Sequence, residues 1–290
     1  MANTDQLKRF LFEDTDVRGE IVLLEDSYQR VLLNGDYPGI VSHLLGEVLA
    51  AVGLLSATMK FDGILTLQAR GDGDVSLLMA DCVHQNQLRG IAKLRAGAQP
   101  DSDELGALLG GGHLVITIDP DRGERYQGIV PLEAPSLSGC LEDYFQQSEQ
   151  LPTRLWLFAD GVRAGGLLLQ ALPLQLQSRE ARDSYWEHLC ILADTLGAAE
   201  FLATDMDSIL LRLFHDEQVR LFPAADLRFS CSCSRTRTRN MLVTLGEDEV
   251  RSVLAEKGMV DVQCEFCHEK YSFNEAQING LFTQDVKTLH

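Results

Sequence analysis

Four cysteines in the last fifth of the chain are the residues best placed to do chemistry. They come as two close pairs, Cys231-Ser232-Cys233 and Cys264-Glu265-Phe266-Cys267, with 30 residues between the pairs. Each pair can set two sulfurs on one metal ion, and the spacer needs only to fold back for the pairs to meet. In a protein whose thiols stay reduced, such pairing is a strong zinc signal. The thiolate is both the zinc ligand and the nucleophile towards oxidants, so the same atoms can hold a metal or react. Read alone, Cys264 and Cys267 could be a thioredoxin-like redox pair, which sits at a helix start after a buried strand. Their flanks instead alternate, Met259 to Gln263 before and His268 to Phe273 after, which predicts a hairpin with both cysteines at its turn. His268 is a possible competing ligand. Four sulfurs already fill a tetrahedral structural site, however, and a catalytic zinc needs an open position. A zinc hydrolase is disfavoured for that reason. The other cysteines, Cys82, Cys140 and Cys190, lie among apolar neighbours and read as small buried hydrophobes.

Something must position these pairs. A length of 290 residues suggests two domains, or one with an appendage. With 45% hydrophobic and 23% charged residues, the composition is that of a globular protein. The net charge is −18, yet the last 60 residues carry seven Lys and Arg against nine Asp and Glu. The acidity therefore belongs to the body. Such a surface repels phosphate backbones and anionic lipid, so neither nucleic acid nor membrane is expected as a partner. No run approaches the roughly 18 apolar residues of a membrane span. The start, Met1 to Phe10, shows no leader, which makes the cytoplasm the expected compartment. Arg235, Arg237 and Arg239 form the one local basic cluster. They could meet RNA or DNA, the basis of an alternative reading as a zinc-ribbon nucleic-acid or transcription-related protein. More simply, they offset the charge of a tetrathiolate centre.

Residues 1–177 read as an α/β (α+β) core domain. Val17 to Leu24 and Ile64 to Ala69 alternate as half-buried strands do. Further strands are expected at Val75 to Met79, Leu114 to Ile118, Arg154 to Phe158 and Gly166 to Leu172. A helix from an N1 proline, Pro38, presents Ile40, Val41, Leu44, Leu45, Val48, Leu49, Val52 and Leu55 as one broad apolar face. Glycine clusters at Gly71-Asp72-Gly73 and Gly110-Gly111-Gly112 read as tight turns, since neither continues into a phosphate-binding fingerprint. Residues 178–230 read as an amphipathic helical linker. Ser178 can cap a helix with a stripe of Tyr185, Trp186, Leu189, Leu192 and Leu196. A second helical stretch after Thr204, through Arg220, carries Ile209, Leu210, Leu213 and Phe214. Such stripes must be buried, most simply on the core domain. Residues 231–290 form the small zinc domain.

At this point the sequence resembles the heat shock protein 33 family of redox-regulated bacterial holdase chaperones. The CxC and CxxC pairs match that family's zinc centre in type and spacing. So do segments of the body: Val17-Arg18-Gly19, Tyr37-Pro38, Leu44 to Glu47, Leu54 to Ala57, Lys60 to Gly63, Gly71 to Gly73, Leu88 to Gly90, Gly110 to His113, Glu142 to Phe145, Ser148 to Pro152 and Arg212 to His215. Asp74 after the glycine turn and His268 after the last cysteine are small departures.

The resemblance implies an ATP-independent chaperone, not an enzyme, that binds unfolding client proteins. It implies one zinc per reduced, inactive chain, held by Cys231, Cys233, Cys264 and Cys267. Oxidation of these four to two disulfides would release the zinc, unfold the tail and free the linker stripe. A dimer after oxidation is also implied. Loop closure is cheapest between near neighbours, and the resemblance agrees, so the expected bonds are Cys264–Cys267 and Cys231–Cys233. Client-contact residues are not identified by the sequence. Trp186, Leu189, Leu213 and Phe214 on the stripe are the candidates.

Overall fold

The computed structural model describes residues 4–59 and 62–283. Met1 to Asn3, at the head of the segment scanned for a leader, and Lys60-Phe61 of one family-like segment lie outside the described residues. The chain divides into two compact units, parted between Ser230 and Cys231.

The first unit holds two sheets. One runs in the order β10 (Val219–Leu221), β1 (Gln6–Phe12), β2 (Val17–Leu24), β9 (Ala164–Ala171), β8 (Thr153–Ala159), with β11 (Ala225–Asp226) also on β1. The other runs β12 (Arg228–Phe229), β5 (Gln87–Leu94), β4 (Val75–Val83), β3 (Gly63–Gly71), β6 (Gly112–Pro120), β7 (Tyr126–Pro131). Helix α2 (Gly39–Thr58) lies between them, against β9, β8 and β2 of one sheet and β4, β5 and β3 of the other. Fourteen of its twenty residues are buried, so it is apolar all round rather than on one face. Its length and hydropathy also pass as those of a membrane span, contrary to the sequence reading, but its burial makes it a core helix. Pro38 proves to be the N-cap, with an extended ψ of 149°, and not the first helical residue. Short helices α1 (Asp26–Leu32), α3 (Leu105–Leu109) and α4 (Leu137–Tyr144) complete this layer. The two glycine clusters pack on each other. A Cβ at Gly71 would strike the Leu109 carbonyl, so the close approach of the two clusters requires glycine there.

Strand β3 alternates buried and half-buried residues, as expected. Strand β2 does not, and β9 is buried at every position. The reason is a second core on the outer face of the first sheet. There α5 (Arg179–Ala193), α6 (Ala198–Ala203) and α7 (Met206–Phe214) cover Phe10, Phe12, Val17, Ile21, Leu167 and Leu169. The chain enters this layer through Asp16, whose buried carboxylate accepts the N–H groups of Gln175, Leu176 and Gln177. Ser178 then caps α5 by accepting from Ala181 N–H, as the sequence suggests. The helical reading ends at Phe214, short of Arg220. Val219 to Leu221 instead pair with the edge of β1, with Phe10 opposite Leu221, and β12 joins β5 in parallel. Strands of two or three residues have no periodicity to read.

The second unit contains α8 (Arg235–Leu245), α9 (Glu247–Lys257), the hairpin β13 (Val260–Gln263) and β14 (Lys270–Phe273), and α10 (Glu275–Thr283). Its core is Leu242, Val250, Val260, Phe273, Ile278 and Leu281. That is small for an independent fold, and a structural metal is one of the usual remedies.

One consequence for pH concerns Glu47 on α2. Burial, with the charge of Asp103 adding to it, pushes this half-buried carboxyl up to about 7. The ionised form is thus disfavoured in the native chain, a cost present above pH 7 and released as pH falls towards the unfolded value. Glu47→Gln should therefore stabilise the fold at pH 8 by roughly 1–2 kcal/mol, after discounting for partial solvent access, and not at pH 4. Paired thermal melts at the two pH values check this, and a destabilised variant at pH 8 contradicts it.

Candidate metal centre

The hairpin expected from the flanks of Cys264 and Cys267 is present, and both cysteines lie in its turn. The Cys264 N–H donates to the Glu269 carbonyl, and the Cys264 carbonyl accepts from the His268 N–H, each at 2.9 Å. His268 takes a left-handed φ of 58° to close the turn. Cys231 and Cys233 immediately precede Ser234, which caps α8 by accepting from the Arg237 N–H.

The four Sγ atoms lie within 4.8 Å of one another, and all four thiols are free and half-buried. Cys231 Sγ is 3.6 Å from Cys264 Sγ, and Cys233 Sγ is 3.3 Å from Cys267 Sγ. A tetrahedron with metal–sulfur bonds of about 2.3 Å has edges of about 3.8 Å, so the set suits one four-coordinate ion. Burial first, and then the neighbouring thiols, push the Cys267 thiol up. Sulfurs crowded in this way ionise together only around a cation. Among the described residues no histidine or carboxylate joins the group, so His268 is not brought in as a competitor.

Tyr271 is a partner that sequence reasoning missed. Its hydroxyl donates to Cys233 Sγ at 3.2 Å. Its relevance appears only with the hairpin register, in which Tyr271 faces Val262. The basic cluster sits on the first turns of α8. Arg235 donates to the Ser272 carbonyl and Gln277 Oε1, with its guanidinium 4.4 Å from the Phe273 ring centroid. Arg237 donates to Ser232 Oγ, between the two cysteines of the first pair. Two of the three arginines thus serve the unit's own structure, which leaves less of the cluster for a nucleic acid. The remaining cysteines are buried as expected. Burial pushes Cys82 up to about 11 and Cys190 up to about 12, and it raises Cys140 as well, so their thiolates are disfavoured.

The linker candidates are all in the second core of the first unit. Leu189, Leu213 and Phe214 are buried there and Trp186 packs on its rim. The Phe214 ring meets Phe12 edge-on with centroids 5.1 Å apart.

Comparison with known proteins decides the family. The family model described as Hsp33 protein matches residues 5–274. The chain belongs to the Hsp33 family. A 33 kDa chaperonin of Pseudomonas paraeruginosa (strain DSM 24068 / PA7) is 51% identical over 284 residues, covering 97% of this chain and 96% of that one. Those of Azotobacter vinelandii and of a Shewanella species (strain ANA-3) are 51% and 48% identical, at 96% or more of each chain. The crystal structure of the 33 kDa chaperonin from Thermotoga maritima aligns with a TM-score of 0.83 at 20% identity. It covers 97% of this chain and 99% of that chain, which establishes the shared Hsp33 fold. Hsp33 proteins are chaperones, and the four-cysteine cluster able to hold a metal fits this family.

Proposed function

We propose that the protein is an ATP-independent holdase switched on by oxidation of Cys231, Cys233, Cys264 and Cys267. The observation that carries this reading is the convergence of those four free sulfurs in a unit whose described residues form a core of six buried side chains. A zinc ion bound there would keep the thiols deprotonated at neutral pH, below their ordinary value of about 8.5, and would supply folding energy to residues 231–283. Peroxide then meets thiolates. One sulfur takes an oxygen to become a sulfenic acid, releasing hydroxide, and a second thiolate displaces that oxygen as hydroxide to form a disulfide. Two such disulfides withdraw all four ligands. The second unit loses its organising centre and unfolds. The adjoining segment 178–230 undocks in turn, exposing its stripe and the sheet face beneath to unfolding clients in the cytoplasm.

The bonding pattern is testable. In the cluster the short sulfur approaches run between the pairs, so proximity there does not select the products. Once the unit has unfolded, loop closure favours near neighbours. Metal analysis with X-ray absorption should show one zinc and four sulfur neighbours in the reduced chain. Peptide mapping after oxidation should then show Cys264–Cys267 and Cys231–Cys233. Oxygen or paired nitrogen ligands, or bridges to Cys140, would contradict the assignment.

A further inference from the structure

The Tyr271 hydroxyl donates to Cys233 Sγ at 3.2 Å. Tyr271 is half-buried on β14, and its backbone pairs with Val262 of β13. Cys233 lies 38 residues earlier, directly before Ser234 caps α8. The bond therefore ties the first cysteine pair to the hairpin that carries the second. A phenol gives up its proton only near a pH of about 10, so at neutral pH this hydroxyl is a donor, and a thiolate can only accept. Cys231 and Cys233 are alike in burial, and each faces one sulfur of the second pair, at 3.6 and 3.3 Å.

We propose that Tyr271 is a positioning residue for the oxidation, holding Cys233 back from oxidants while the hairpin is paired. This role rests on the zinc-bound, oxidation-driven switch proposed above and adds what sets its sensitivity. In reacting with peroxide, a thiolate uses a lone pair to form an S–O bond as the O–O bond breaks and hydroxide leaves. A charge-assisted O–H···S bond draws on the same electron density, so it has to weaken on the way to that product. The hydroxyl also fixes the direction of the Cys233 sulfur, as the outer partners of metal ligands do.

The pairing of β13 with β14 is what places Tyr271, so the protection lasts only as long as the hairpin does. Oxidation at another sulfur that melts the hairpin frees Cys233 in the same event. The hydroxyl thus makes the intact cluster slow to yield and the damaged one quick, which sharpens the switch.

Alkylation of the reduced, zinc-loaded full-length chain with limiting iodoacetamide tests this role. The sulfur forms a bond to carbon and iodide leaves, and fragment-ion mass spectrometry reads Cys233 against Cys231 of the same chain. Tyr271→Phe keeps the ring and loses the hydroxyl. Cys233 should then react about three- to tenfold faster relative to Cys231, and peroxide should release zinc sooner. Replacing the tyrosines by 3-fluorotyrosine, at a pH where the phenol stays protonated, strengthens the donor at nearly the same size and should slow Cys233. A side chain that only packs would move both chains in one direction or neither, and either result overturns the proposal. Should Tyr271→Phe fail to fold, the fluorinated chain alone decides. The same fluorination of Tyr271→Phe should leave the ratio unmoved, and a shift there would assign the effect to another tyrosine and overturn the role of Tyr271. A reduced chain that holds no zinc would overturn the switch itself and this role with it, whereas a zinc-loaded chain with an unmoved ratio would overturn the role of Tyr271 alone.

Discussion

Replacing Cys264 by serine is expected to unfold residues 231–283 and to loosen segment 178–230, while the core around α2 stays folded. Among the described residues the second unit buries six apolar side chains, and none of its helices exceeds 11 residues. Isolated helices of that length are marginal in water. Structural zinc contributes about 10–16 kcal/mol of apparent binding energy in small peptides, far more than such a core can replace. On the proposed zinc-bound reading, losing one of four ligands weakens that contribution. Hydrogen exchange read by mass spectrometry should show lost protection across β13, β14 and α8, with α2 unchanged. A variant that keeps the hairpin protected would show that the core, not the cysteine cluster, holds this unit together.

The second large effect concerns the outer layer of the first unit. Leu213→Ala should cost about 2–5 kcal/mol, because Leu213 is 4% exposed and packs in the core shared by α5, α6, α7 and the sheet. The helices α6 and α7 have six and nine residues, so docking rather than propensity holds them. A loss of that size is comparable with the docking energy of the whole segment. The reduced, zinc-loaded variant should therefore hold clients partly, and become protease-sensitive between 178 and 230. If it shows that sensitivity, keeps its zinc and gives no protection, undocking is not sufficient for activity.

The cysteine centre was legible because ligand type and spacing are local properties. Cys231, Cys233, Cys264 and Cys267 have ligand types and spacing that suit one ion whatever the fold around them, and the structure brings their sulfurs together, while the alternation flanking Cys264 placed the turn. The stripe of Leu189, Leu213 and Phe214 was legible for the same reason, as helical periodicity. What covers what was not. Strand β2 reads as half-buried from its own residues, and only the docked helices make both its faces interior. The pairing of Val219 to Leu221 with β1 joins residues some two hundred positions apart through backbone groups that every residue possesses. The contact of Tyr271 with Cys233 is likewise a product of register, and no local pattern marks it.

The central claim is that oxidation of the four cysteines converts an inactive chain into a holdase. Light scattering of a heat-denaturing client, without ATP and with reduced and peroxide-oxidised protein side by side, tests it most directly. The account predicts that the oxidised, zinc-free form suppresses aggregation and the reduced, zinc-loaded form does not, with the difference reversed by reductant and zinc. Equal suppression by both forms, or none by either, would contradict it.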